Sequence, residues 1–364
     1  MQNFELRRLL GALSVSHEHR EIPLFAKTCV CEVRSDRPLG RASRLDVPCD
    51  LSHELVLARE RPFLAQATPE LDDQTFPVEI ILEVEQEGLD AALGALGGDP
   101  QSAYRGSLAE ALLVLCEERG GLVSRTDLEA YEVRWSDPVE VPYLGGWLLT
   151  RAGLSGLPET VPRLPRLAGV GATERVLALV DLLEAPAVGG GDTTNVTVVD
   201  ADGNACVLTT SLGLGSGDFL PGFDLHLNSM LGEADLVRGR LEPGRRMESM
   251  MAPTLAFDAD GLSLASGAAG GTRLRTALLG VVAGILDEGL SAPEAVARPR
   301  FHPAPEVVNT EPGVDEDALE ELEARGRTVR RWPARHHYFG GVSVVSRSGT
   351  AGDPRRNGAA STLR

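Results

Sequence analysis

Two adjacent threonines, Thr193 and Thr194, follow Gly189-Gly190-Gly191-Asp192 and begin a β-branched run. A threonine hydroxyl is a nucleophile only when a base removes its proton. The most compact base is its own α-amino group, with an ordinary pKa of about 8, once the residue has become an N-terminus. That requires the preceding peptide bond to be cut, and a glycine-rich turn lets a hydroxyl reach back to the preceding carbonyl. On composition alone the same pair opens an ordinary hairpin, because threonine favours strands. A second candidate is Gly267-Ala268-Ala269-Gly270-Gly271-Thr272, directly before an apolar helix. Backbone N–H groups exposed at such a point form an anion site or an oxyanion hole; the plainer alternative is a tight turn capped by Thr272.

A third set is polar: Asn228, Ser229, Glu233, Asp235 and Ser249, close to glycine-rich turns. Two carboxylates with small polar groups suit a zwitterion such as an amino acid, while each residue taken singly fits a solvated loop. Other chemistries find less support. Gly213-Leu214-Gly215-Ser216-Gly217 resembles half a dinucleotide fingerprint but follows a hairpin and precedes no helix, and no Lys-Ser/Thr completes a phosphate loop. His336-His337 is read as strand, where neighbours point to opposite faces and do not share a metal. Five scattered cysteines (29, 31, 49, 116 and 206) give no disulfide framework and only one isolated Cys-x-Cys.

The elements that must hold these groups become clear after residue 100. Ser107 and Glu110 read as a capping box for a helix with Leu108, Leu112 and Leu115 on one face, stopped by Gly120-Gly121. Ser124 is expected to cap a short helix from Arg125 to Tyr131. Two short strands fall within 138–149, and an amphipathic helix runs from Ala172 to Glu184 before Pro186. Strands from Thr194 to Val199 and Cys206 to Ser211 flank the turn Ala201-Asp202-Gly203-Asn204. A strand at Thr254–Phe257, an apolar helix at Leu274–Leu286, further helices at 291–297 and 316–326, and a strand at 341–346 complete the pattern. In the first hundred residues only Val78–Val84 reads clearly as strand. Helices alternate with hairpins, so the class is α+β with antiparallel sheets sandwiched by helices.

At 364 residues with 43% apolar composition the chain can bury a substantial core. Lys and Arg number 35 against 53 Asp and Glu, a formal charge of −18, and no basic cluster follows a phosphate backbone. These features argue against nucleic acid and anionic membranes as partners. The first thirty residues lack the layout of a signal peptide, and no stretch approaches the roughly 18–20 apolar residues of a membrane span. A soluble, cytoplasmic protein is expected.

In order along the chain, DTTNVTVVDADGNA, LTTSLGLGSG, LNSMLGEADL, SMMAPT (Ser249 to Thr254), SGAAGGTR, ARPRFH (Ala297 to His302) and GDPRR (Gly352 to Arg356) closely resemble the γ-glutamyltranspeptidase family of N-terminal-nucleophile hydrolases. A looser match continues upstream through Tyr104 to Tyr131. The resemblance implies a four-layer αββα sandwich, with 1–100 a divergent region that lacks part of the family's N-terminal segment. It further implies 101–192 as the rest of a large-subunit-like segment and 193–364 as a small-subunit-like catalytic segment, together one intertwined domain. Cleavage would fall between Asp192 and Thr193, giving a self-processed two-chain heterodimer. Thr193 would attack a γ-glutamyl amide, Gly270 and Gly271 would hold the oxyanion, and water or an amine would take the acyl group. Ser211 lies where the family places a hydroxyl bonded to the nucleophile, and Ser249 where it contacts the glutamyl α-carboxylate. No metal or organic cofactor is implied.

The departures concern recognition of the substrate. No counterpart of the family's carboxylate-clamping arginine is found, Met250 replaces the second of a paired serine, and Asn195 stands where a histidine is common. LNSMLGEADL departs from the family's usual Asn/Gln-Asp arrangement and leaves Glu233 or Asp235 to hold an α-amino group, with Asn228 a further candidate substrate contact. The expected activity is a γ-glutamyl transferase or hydrolase, or an amidase on a related acyl amide. The alternative is a truncated relative that acts as an interaction protein without catalysis.

Overall fold

The computed structural model describes residues 86–184 and 192–363, apart from 234–235, 238–239, 241, 243 and 245, together with the strand Lys27–Val33. The expected strand at 78–84 and the glycines Gly189 to Gly191 lie outside the described residues. Apart from Lys27–Val33, the described residues fall into two compact units, one within 84–137 and 216–228, the other within 138–215 and 229–364.

In the first unit the helices Leu89–Gly98, Ser102–Arg105, Ser107–Arg119 and Arg125–Glu129 bury Ala92, Leu108, Leu112 and Leu128 around Leu220. Tyr104 stacks on Tyr131 at 4.9 Å. The capping box expected from Ser107 and Glu110 does not form. Gly106 is the cap residue, and Glu110 instead takes both Arg125 nitrogens at 2.8 and 2.7 Å. A bidentate guanidinium outcompetes a single backbone N–H for that carboxylate. Ser124 caps its helix as expected, with Asp127 as the reciprocal partner, and Gly120 ends the longer helix in the left-handed conformation.

Strands are numbered in chain order: β1 (Lys27–Val33), β2 (Val139–Tyr143), β3 (Gly146–Thr150), β4 (Asp192–Val199), β5 (Ala205–Gly213), β6 (Phe219–Leu220) and β7 (Leu225–His226). The series continues with β8 (Thr254–Asp258), β9 (Gly261–Ala269), β10 (Phe301–Pro303), β11 (Val307–Thr310), β12 (Thr328–Arg331), β13 (Gly341–Ser346) and β14 (Gly349–Gly352). The second unit is built on a six-stranded antiparallel sheet in the order β14-β13-β9-β8-β3-β2. A smaller sheet orders as β1-β5-β4, and β10-β11-β12 form a third in which β11 and β12 run parallel.

Successive residues of β8 and β9 point to opposite faces, and both faces are buried. Ala256, Leu264 and Ala268 meet Leu278, Val282, Leu179 and Val180 of the helices Leu274–Leu286 and Ala172–Leu183. The former helix is apolar nearly all round, as a helix buried on most sides must be. On the other face Leu255 and Ala265 meet Ala205 and Val207 of β5. Three layers, helix on sheet on sheet, are thus present among the described residues of this unit. No helix among the described residues is long and apolar enough to cross a membrane.

Candidate active site

Register decides which of the two threonines faces inward. β5 alternates buried and half-buried residues from Ala205 to Gly213, so Ala205, Val207, Thr209, Ser211 and Gly213 share the inner face. Thr193 pairs with Ser211, Asn195 with Thr209 and Thr197 with Val207, which places Thr193 on that face and leaves Thr194 exposed opposite Thr210. A one-residue slip would exchange them. The register is broken between Asp192 and Thr193, where Asp192 comes opposite Gly213. Such a bulge re-aims a side chain.

Thr193 Oγ1 donates to Ser211 Oγ at 3.1 Å, and Ser211 Oγ also accepts from Gly213 N at 3.1 Å. The hydroxyl pair is therefore tied to the backbone of the turn that follows. Gly213 has φ of +70°, and a Cβ there would collide with Glu233 Oε1 and come within 2.6 Å of Ser229 Oγ. Only glycine suits both the conformation and the approach of that carboxylate. Ser229 Oγ accepts from Leu214 N at 3.0 Å, which fixes the same turn.

The strand β9, over which β4 packs, ends at Ala269. Gly270 (φ +134°) and Gly271 (φ +57°) then turn the chain into Gly271–Arg273 and the apolar helix. A Cβ on Gly270 would lie 2.8 Å from Gly340 Cα, and one on Gly340 would lie 2.7 Å from the Ala269 carbonyl oxygen. The glycine pair is thus held against a third glycine. Gly340 is itself held by Arg300, whose Nη1 donates to its carbonyl at 2.9 Å.

Arg300 belongs to a buried cluster of two cations and two carboxylates. Arg355 grips Glu311 through Nε at 2.6 Å and Nη2 at 2.5 Å, and Asp353 Oδ1 through Nη1 at 3.2 Å. Asp353 Oδ2 lies 2.5 Å from Arg300 Nη2 and accepts from Val342 N at 3.0 Å. Burial draws the Arg300 guanidinium down to about 10 against the pull of Asp353. Nearby His302 bonds Thr276 Oγ1 at 3.2 Å, and burial, then Arg273 and Arg275, press its pKa down to about 3. It is a neutral core residue.

Ser249 is buried before β8, where its Oγ accepts from Met251 N at 3.3 Å and its carbonyl from Leu154 N at 2.9 Å. Asn228 lies in the first unit, and Asp235 lies outside the described residues. His336 and His337 are not on a strand. They enter the short turn His337–Phe339 with ring centroids 4.2 Å apart, because His336 Nδ1 accepts from Tyr338 N and caps that turn. Among the described residues no group of three or more His, Cys, Asp or Glu converges as a metal site would require.

Two features escaped the sequence reading. One is the hold of Arg300 on the Gly340 carbonyl, with Arg300 itself paired to Asp353 and Asp353 to Arg355; these residues sit in ARPRFH and GDPRR, where repeated arginines beside an aspartate are the available signal. The other is Asn195, which lies at the centre of a hydrogen-bond cluster linking β4, β5 and β13.

The model of the family described as gamma-glutamyltranspeptidase matches residues 85–157 and 178–363. The chain is 25% identical over 316 residues to the acylase ACY 1 proenzyme of Pseudomonas sp. (strain V22), covering 68% of this chain and 54% of that protein. It is 33% identical over 154 residues to the glutathione hydrolase proenzyme of Escherichia coli (strain K12), covering 38% of this chain and 27% of the relative. The chain spans about half the length of the acylase relative and less of the hydrolase. In fold it is similar to the crystal structure of cephalosporin acylase from Bacillus halodurans, with a TM-score of 0.64 at 20% identity, covering 77% of this chain and 63% of that one. With the matched segments spanning most of the chain, it belongs to the gamma-glutamyltranspeptidase family.

Proposed function

We propose that the protein is a self-processing amide hydrolase or acyl transferase whose nucleophile is Thr193. The observation that carries this reading is the Thr193 Oγ1 to Ser211 Oγ hydrogen bond at 3.1 Å, set by strand register immediately after the Asp192 bulge. Attack of Thr193 Oγ on the Asp192 carbonyl breaks the C–N bond as the ester forms, which frees the Thr193 α-amino group, and water then hydrolyses the ester to release the Asp192 carboxylate and the Thr193 hydroxyl. That amine then takes the hydroxyl proton as Thr193 attacks the substrate carbonyl. The N–H groups of Gly270 and Gly271 stabilise the oxyanion. Collapse expels the amine, which leaves with the proton, and water or a second amine takes the acyl group from Thr193 Oγ.

A γ-glutamyl donor is the first reading of the substrate, in keeping with the glutathione hydrolase relatives. The Glu233 carboxylate, which lies against Gly213, is the group proposed to receive an α-ammonium group. A second reading, an amide with an apolar acyl group, is favoured by Leu214, which is 68% exposed on the turn after Gly213, and by the acylase relatives. Turnover of a chromogenic γ-glutamyl anilide against an aliphatic acyl anilide separates the two. Thr193→Ala should abolish either activity. Absence of turnover on both substrates by the wild-type protein would leave the interaction-protein alternative.

A further inference from the structure

β4 occupies an edge of its sheet among the described residues, since the order is β1-β5-β4. Cutting the bond before Thr193 turns the second residue of an edge strand into a chain terminus, the situation in which strands fray. The far end of the strand is held by apolar packing, with Val199 against the cluster of Ala205, Val207, Leu255 and Ala265. Such packing is non-directional and does not fix position along the strand axis.

Nearer the nucleophile the interface between the sheets becomes polar and directional. Asn195 Nδ2 donates to Thr209 Oγ1 at 2.6 Å on β5. Its Oδ1 accepts from Thr197 Oγ1 at 3.1 Å and from Ser343 Oγ on β13. Thr197 and Ser343 hydroxyls are 2.7 Å apart, and the Ser343 carbonyl is tied to β9 by Ser266 Oγ at 2.9 Å. The Asn195 amide fits over Gly267 of β9, where any Cβ would collide with it. One side chain therefore bonds its own sheet, bonds the facing sheet and fills a notch in that sheet.

We propose that Asn195, with Thr197 and Ser343, is a clamp that positions the nucleophile: it holds β4 in register both before and after cleavage, so that Thr193 Oγ stays on Ser211. The proposal rests on the reading of Thr193 as nucleophile. Asn195 is a positioning residue two places along the strand from the reacting atom, and Gly267 is glycine because the clamp needs the notch.

The test uses Asn195→Ala, Ser343→Ala, Ser343→Thr, Gly267→Ala and the double variant Gly267→Ala/Asn195→Ala in the full chain. Cleavage half-time, kcat and KM on an acyl anilide, and amide exchange of peptides spanning 193–199 are measured. Asn195→Ala and Ser343→Ala should slow cleavage and lower kcat about tenfold or more with KM within about twofold, since each removes a polar partner at a site where one hydrogen bond is worth about a factor of ten. Ser343→Thr, which keeps the hydroxyl, should restore most of the rate. Gly267→Ala should be costly in the wild-type chain and nearly neutral beside Asn195→Ala, because the collision partner is gone. Wild-type cleavage and kcat in Asn195→Ala and Ser343→Ala, or an equal cost of Gly267→Ala in both backgrounds, overturns the clamp. If the wild-type chain does not cleave, the nucleophile reading fails, and exchange decides the clamp alone: faster exchange across β4 in Asn195→Ala supports it and unchanged exchange overturns it. Should Asn195→Ala not fold, Ser343→Ala carries the same measurements.

Discussion

Replacing Glu311 by Gln probes the ion cluster that holds Gly340 against Gly270. The side chains of Arg355 and Glu311 are 0% and 1% exposed, so neither charge is solvated by water. The cluster balances Arg300 and Arg355 against Asp353 and Glu311. Neutralising Glu311 leaves two guanidinium groups sharing one carboxylate, and its amide nitrogen presents a donor to donors. Removing one partner of a buried pair costs about 3–5 kcal/mol, most of it the desolvation of the charge left behind. At roughly 2–4 °C per kcal/mol for a unit of this size, the melting temperature should fall by about 10 °C. The assay is urea and thermal unfolding followed by circular dichroism in a Thr193→Ala background, which keeps every sample a single chain. Glu311→Met/Arg355→Met removes one charge of each sign and leaves Arg300 paired with Asp353, so it should be more stable than the sum of its single variants by about 2 kcal/mol or more. A loss below about 1 kcal/mol for Glu311→Gln, or strict additivity in the double variant, would refute the reasoning.

Three further outcomes follow from the same geometry. Ser211→Ala should lower the rate of cleavage and kcat by about tenfold to a hundredfold, the worth of one hydrogen bond to a reacting hydroxyl, and Ser211→Thr should recover most of it in a progress-curve assay. Thr194→Ala should process at the wild-type rate by gel densitometry while Thr193→Ala does not process at all, because only Thr193 faces Ser211. His302 has a folded-state pKa pressed down to about 3, below its unfolded value, so the unfolded chain binds the extra proton. Stability should therefore fall as pH drops from about 6.5, by roughly 2 kcal/mol at pH 5 from this residue. Urea titrations at pH 7 and pH 5 should show that His302→Gln removes this part of the slope.

The hairpin carrying the nucleophile was legible because its signals are local. β-branched runs and the Asp-Gly turn define β4 and β5 within a residue or two, and the glycine pair at 270–271 falls where SGAAGGTR placed it. The layering was legible in outline for a similar reason: residues 274–286 are apolar all round and need cover on several sides. What could not be read was non-local. The choice of Thr193 over Thr194 comes, in sequence, from the family resemblance; physically it depends on register with β5 and on a bulge that no composition announces. Glu110 reads as a capping partner in sequence because its competitor, Arg125, lies fifteen residues away across a helix pair. Asn195 and Ser343 are 148 residues apart and meet only through sheet stacking. Gly213 reads in sequence as part of a half dinucleotide fingerprint and Gly267 as part of an anion-binding turn, yet at each a polar side chain from another segment occupies the space a Cβ would take.

The most direct test of the account is the intact mass, with N-terminal sequencing, of the purified wild-type protein and its Thr193→Ala variant after prolonged incubation at neutral pH. Wild type should yield a fragment whose first residue is Thr193, and the variant should remain a single chain. A wild-type chain that stays uncut, or a variant cut at the same bond, would contradict it.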